Sequence, residues 1–167
     1  MATTLVTSDW RILLARYLQY AQERKGKVPP AATIAELDQL RERAAQLDLT
    51  FAPAIVELLK VTNGTGYDGL TFYGIGIDRE DEFGRLDVFE ANELVEERAN
   101  DTLYGQWQDE LFVRVAESGR FERRSIVTSN ARETFDTCEA LLVSVLDEEV
   151  NILNQRAALI KKPIRHE

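Results

Sequence analysis

IVELLKVTNGTGYDGLTFYGIGI, residues Ile55 to Ile77, is the stretch whose reading decides the fold. Ile55, Val56, Leu58, Leu59 and Val61 have the close apolar spacing of one buried helical face. Leu70, Phe72, Tyr73, Ile75 and Ile77 are aromatic or β-branched at most positions, which suits a pleated strand. Between them lies Asn63-Gly64-Thr65-Gly66, where Asn or Gly can take the left-handed conformation that ends a helix. The expectation is a buried helix that stops at Asn63-Gly64 and a central strand over Leu70–Tyr73 with Phe72 inside.

Working outward toward the N-terminus, Pro53 suits the first turn of that helix. Before it, Thr33-Ile34-Ala35-Glu36 has the form of a capping box opening a helix whose apolar face is Ile34, Leu37, Leu40, Ala44 and Leu47. Val28-Pro29-Pro30 is a stiff connector. Farther back, Trp10, Leu13, Leu14, Tyr17, Leu18 and Ala21 form a stripe on a first helix, with Ser8 as its expected N-cap and Lys25-Gly26-Lys27 as its stop.

Toward the C-terminus, Gly76 to Gly84 is a hydrophilic excursion. Leu86-Asp87-Val88 reads as a short strand and Ala91–Ala99 as a helix. Leu103–Trp107, Leu111–Val115 and Phe121–Val127 are strand-like, with a hairpin at Glu117-Ser118-Gly119. A last helix is expected to open at Asp136, with Glu139 completing a capping box and Leu141, Leu142, Val145, Leu146, Val150 and Leu153 along one side. Residues 159–167 form a basic tail. Consecutive strands without long helices between them imply antiparallel pairing. The expected class is therefore α+β: N-terminal helices, a mainly antiparallel central sheet and a C-terminal helix packed on it, in one domain over residues 1–167.

The net charge of −9 is localised. Residues 76–117 hold 13 acids against 4 bases, whereas residues 1–75 and 118–167 each carry 8 of both. Such a field repels nucleic acid and anionic lipid and favours a basic partner. No apolar run has the length needed to span a bilayer, the first residues lack a signal-peptide pattern, and one cysteine fits a reducing compartment; the expected location is the cytoplasm.

Catalytic signals are sparse. His166, the single histidine, stands in the tail, which argues against a histidine-dependent triad or a histidine-rich metal site. Cys138, near the start of a helix, has no structured histidine to act as its base. Gly74-Ile75-Gly76 leads into acidic residues that would repel a phosphate. Asp78, Glu80 and Glu82 alternate without the spacing of a calcium loop. No cofactor or metal is expected, and no enzymatic activity. A hydrolase built on a carboxylate pair in the acidic block is the one catalytic alternative.

Four motifs occur in one order: Phe51-Ala52-Pro53 through Leu58-Leu59, Asn63-Gly64 and Tyr73-Gly74-Ile75; Val88-Phe89-Glu90-Ala91-Asn92-Glu93; Asp109-Glu110-Leu111-Phe112-Val113; and Thr134-Phe135-Asp136-Thr137-Cys138-Glu139-Ala140-Leu141-Leu142. Together they resemble the SUKH superfamily, in particular its YrhA-like branch, over roughly residues 33–146, leaving the N-terminal helix (1–32) as an addition. The resemblance implies a small non-catalytic α+β domain and function by binding, since many bacterial members resemble immunity proteins that neutralise a cognate toxin. A basic toxin would complement the charge map. The expected contacts are Asp78, Glu80, Asp81, Glu82, Glu93, Glu96 and Glu97, with Asp109 and Glu110 as a second edge if the sheet brings them near. Tyr67 and Tyr104 are candidate anchors for which core burial is the simpler reading. A regulatory or scaffolding module that binds another intracellular protein is the alternative from outside the toxin setting.

Overall fold

The computed structural model describes residues 9–95 and 99–161. The class is α+β, and the chain divides into two compact units. One is Val28–Leu141, which holds the sheet; the other combines the N-terminal helix with the C-terminal helix from Leu142 onward.

In the larger unit, α2 (Ile34–Gln46) opens with the expected capping box: Glu36 N donates to Thr33 Oγ1 at 3.2 Å, and Thr33 N donates to Glu36 Oε2 at 2.7 Å. Leu37, Leu40 and Ala44 are buried, but Ile34, expected on the same face, is 80 % exposed at the first helical position. Helix α3 (Pro53–Val61) starts at Pro53 and buries Ile55, Leu58 and Leu59. Val61, expected on the same face, is exposed. The helix ends at Val61, two residues before Asn63: Thr62 is the C-cap, and it is extended, with φ −148° and ψ 127°. The left-handed residue comes after the helix has ended, at Gly64 (φ +81°), where a Cβ would lie 2.8 Å from both Phe72 O and Gly74 N.

That close approach explains the placement of β1 (Leu70–Phe72). The sheet is an antiparallel meander in the order β1-β2-β3-β4-β5, with β2 Thr102–Trp107, β3 Glu110–Arg114, β4 Phe121–Ser125 and β5 Ala131–Phe135. β1 is therefore an edge strand and not the central strand its composition suggests. Its outer edge is sealed by the chain that precedes it. Thr65 N donates to Phe72 O at 2.9 Å, Phe72 N donates to Thr65 Oγ1 at 2.9 Å, and Thr65 Oγ1 donates to Leu70 O at 3.2 Å. An edge covered in this way can bury Leu70, Thr71 and Phe72 as fully as an interior strand.

Two further expectations shift. Leu86-Asp87-Val88 is not a strand: Gly74 and Asp87 form an isolated parallel bridge, and Val88 begins helix α4 (Val88–Glu93), whose N-cap is Asp87. The helix therefore lies ahead of the expected Ala91–Ala99, part of which (96–98) lies outside the described residues. The return strand stops at Ser125, and β5 pairs back along it, so Thr134-Phe135 is the end of a full strand.

Helix α5 (Cys138–Ile160) follows β5 closely, with Cys138 and Leu141 buried in the sheet unit. Its first turn is capped by Thr137 and not Asp136: Ala140 N donates to Thr137 Oγ1 at 3.2 Å. In the smaller unit, helix α1 (Trp10–Lys25) buries Trp10, Leu13, Leu14, Tyr17 and Ala21 and stops at left-handed Gly26. Its N-cap is Asp9, which accepts from Arg11 N; Ser8 lies outside the described residues. The side of α5 formed by Leu142, Val145, Leu146, Val150 and Leu153 is buried.

Candidate functional site

The acidic segment is an ordered excursion tied off at its base. Gly74 N donates to Leu86 O at 2.9 Å and Val88 N to Gly74 O at 2.8 Å, so residues 75–86 form a closed loop. The Asp87 carboxylate secures both ends. Its Oδ2 accepts from Gly76 N (2.9 Å) and Ile77 N (3.3 Å), and its Oδ1 accepts from Phe89 N (2.9 Å) and Glu90 N (3.1 Å) at the start of α4.

Asp81 and Arg85 fold the loop back on itself. Asp81 Oδ2 accepts from Phe83 N, Arg85 N and Arg85 Nε, and Oδ1 accepts from Arg85 Nη2, all at 2.9–3.2 Å. Arg85 Nη1 then donates to Asn63 O at 2.7 Å, docking the loop on the turn after α3. Both side chains are 10 % exposed. Burial pushes the Asp81 carboxyl up, but the Arg85 hydrogen bonds and charge, with the backbone donors, hold it below the ordinary aspartate value.

The expected contact residues therefore separate. Asp78, Glu80 and Glu82 are exposed on the loop. Asp81 is committed to Arg85, so it serves to shape the loop. Glu93 is exposed and lies 3.5 Å from Arg43 Nη2. Glu96 and Glu97 lie outside the described residues.

Asp109 and Glu110 are elsewhere. Strand register pairs Leu70 with Trp107 and Phe72 with Gly105, so the Gln108-Asp109 turn stands at the Leu70 end of β1 while the acidic loop departs from the other end. They are also partnered. Arg132 Nη2 and Nη1 grip Asp109 bidentately at 2.5 and 3.0 Å, and Glu110 Oε2 lies 2.6 Å from Arg123 Nε. The Arg132 hydrogen bonds hold the Asp109 carboxyl below its usual range. Glu110 is 9 % exposed. Asp101 likewise accepts from Arg124 Nη1 at 3.0 Å. Arginines from the neutral C-terminal third thus pair with three acids of the block, whereas Asp78, Glu80 and Glu82 stand at exposed positions of the loop.

Beside Asp78 is a concavity the charge pattern does not reveal. A cleft of about 180 Å³ has an apolar floor of Ile77, Leu86, Ala91 and Leu94. Asp78, Arg79 and Glu90 stand at its rim, with Arg79 Nη2 3.1 Å from Glu90 Oε1. Leu94 is 74 % exposed because α4 ends at Glu93, which leaves it just past the helix. An aliphatic floor with the Asp78 carboxylate at its rim suits the stem and head of a lysine or arginine.

The other candidates have structural roles. Tyr104 is 2 % exposed; its hydroxyl donates to Thr50 O at 2.6 Å and accepts from Ala52 N at 3.1 Å, tying β2 to the link before α3. Tyr67 is half-buried. Cys138 is buried, and burial pushes its thiol up to about 12, the reverse of an activated nucleophile. His166 lies outside the described residues. Among the described residues no helix is long and apolar enough to cross a membrane, and no three His, Cys, Asp or Glu converge as metal ligands. Against known proteins, this chain shows no significant similarity to any family model, curated protein sequence or solved structure.

Proposed function

We propose that this protein is a cytoplasmic, non-catalytic immunity-type protein that binds and neutralises a basic toxin, and that Asp78, Glu80 and Glu82 with the adjoining cleft form its contact surface. The observation that carries the reading is the construction of the acidic loop. Asp81, Arg85 and Asp87 are used internally to hold one loop shape, while Asp78, Glu80 and Glu82 are exposed on that loop and Asp78 stands at the rim of a cleft with an apolar floor. A pre-shaped acidic loop loses little conformational freedom on binding, and its field steers a basic partner toward it. The sheet unit Val28–Leu141 also nearly coincides with the stretch that carries the SUKH resemblance, which supports a binding rather than catalytic role.

The test is the triple reversal Asp78→Lys, Glu80→Lys and Glu82→Lys, which leaves Asp81 in place because its loss would unfold the loop. Against the toxin encoded beside its gene, the variant should associate about tenfold more slowly or worse at low salt, with a shallower salt dependence. Cells expressing it should lose protection while the protein keeps its thermal midpoint. An unchanged association rate and salt dependence in a folded variant would defeat the assignment of this surface, and absence of any neighbouring toxin that the wild-type chain binds would defeat the immunity reading itself.

A further inference from the structure

A second concave site lies in the smaller unit, between α1 and the C-terminal half of α5. It is a groove of about 470 Å³ into which Arg16 and Arg24 face from α1 and Lys161 from just beyond α5. Residues 16, 20 and 24 recur at four-residue spacing and so share one helical face. In a chain of net charge −9, Arg16, Arg24 and Lys161 enter none of the ion pairs found among the described residues. Glu23 is the one carboxylate of the lining, and it accepts from Gln19 Nε2 at 3.0 Å on its own helix. The groove therefore carries three cations against one anion.

The neutral groups complete the site. The Tyr20 hydroxyl donates to Asn154 Oδ1, which bridges α1 and α5 and occupies the acceptor, not the donors, of an amide that lines the groove. Ala157 and Ile160 supply an apolar wall. The volume is within the roughly 300–1,000 Å³ usual for small-ligand sites. Two guanidinium groups are matched in shape to phosphate oxygens, and an excess of two positive charges matches a dianion.

We propose that this groove binds a small phosphomonoester dianion, with Arg16, Arg24 and Lys161 on the phosphate, the Asn154 amide as a neutral donor, and the organic portion against Tyr20, Ala157 and Ile160. The site shares no residue with the acidic loop, so the two assignments stand or fall separately.

The test titrates the full chain with phenyl phosphate, inorganic phosphate and sodium chloride at matched ionic strength, followed by amide chemical shifts and calorimetry. Saturable shifts confined to residues 16–24 and 154–161, tighter for phenyl phosphate than for inorganic phosphate and absent with chloride, are expected. Arg16→Gln and Arg24→Gln, both at exposed positions that should not disturb folding, should each weaken phenyl phosphate about tenfold, the loss for one charged hydrogen-bond partner. Arg41→Gln, on α2, should change nothing. Shifts that chloride reproduces, shifts spread over the chain, or equal affinity in Arg16→Gln and wild type would overturn the proposal. So would binding of a single-stranded oligonucleotide at this groove without binding of phenyl phosphate, since that would make it a polyanion surface.

Discussion

Asn63 offers the sharpest test of how the fold is held. It is 3 % exposed, and its side chain pairs with the backbone of Ile75 as a neighbouring strand would: Ile75 N donates to Oδ1 at 2.7 Å, and Nδ2 donates to Ile75 O at 2.9 Å. Its own backbone N–H donates to Pro30 O at 2.7 Å, and its carbonyl accepts from Arg85. Asn63→Ala leaves those backbone bonds but strips both partners from Ile75, which is fully buried. Each orphaned group costs about 1–3 kcal/mol, so the total is roughly 4 kcal/mol. For a chain of this size that lowers the thermal midpoint by roughly 8–16 °C. Calorimetric or circular-dichroism melts measure it directly. Asn63→Asp should lie closer to wild type at pH 4 than at pH 7, because a protonated carboxyl keeps one donor and one acceptor for Ile75. A midpoint for Asn63→Ala within about 2 °C of wild type would refute the argument, since it would mean that the two bonds contribute almost nothing net.

Two predictions concern titration. The Asp81 pKa is lowered in the folded state, so its contribution to stability is present above the ordinary aspartate range and is lost as pH falls below it; urea melts from pH 7 to pH 3 should show a smaller acid loss in Asp81→Asn than in wild type, and equal slopes would rule out the linkage. The Cys138 thiol is raised from 9 to about 12, so the stability it contributes is complete below pH 9 and is lost as pH rises toward 12; at pH 8 it should resist a disulfide reagent until denaturant is added, and rapid labelling of the native protein would show that it is not buried.

Much of the local architecture is encoded within a few residues. The Thr33–Glu36 capping box, Pro53 at a helix start, Gly26 as a helix stop and the Glu117–Gly119 turn depend on contacts between near neighbours, so a short stretch suffices to specify them. The strand character of β2 to β4 and the α+β order follow from local composition for the same reason. Helix ends moved where two short-range signals competed, as when Thr137 capped α5 in place of Asp136.

What periodicity could not supply is pairing between distant segments. Leu70–Phe72 has an interior composition but lies at a sheet edge, because Thr65 and Gly64 cover it, and burial alone does not say whether a strand or a loop does the covering. Charge behaves in the same way. Along the sequence, residues 76–117 carry the whole imbalance, but Arg123, Arg124 and Arg132 reach Glu110, Asp101 and Asp109 only after β3, β4 and β5 align. An ion pair requires proximity within a few ångströms and is indifferent to separation along the chain. Composition therefore determined that an acidic region exists, and tertiary structure decided which of its carboxylates are left facing solvent.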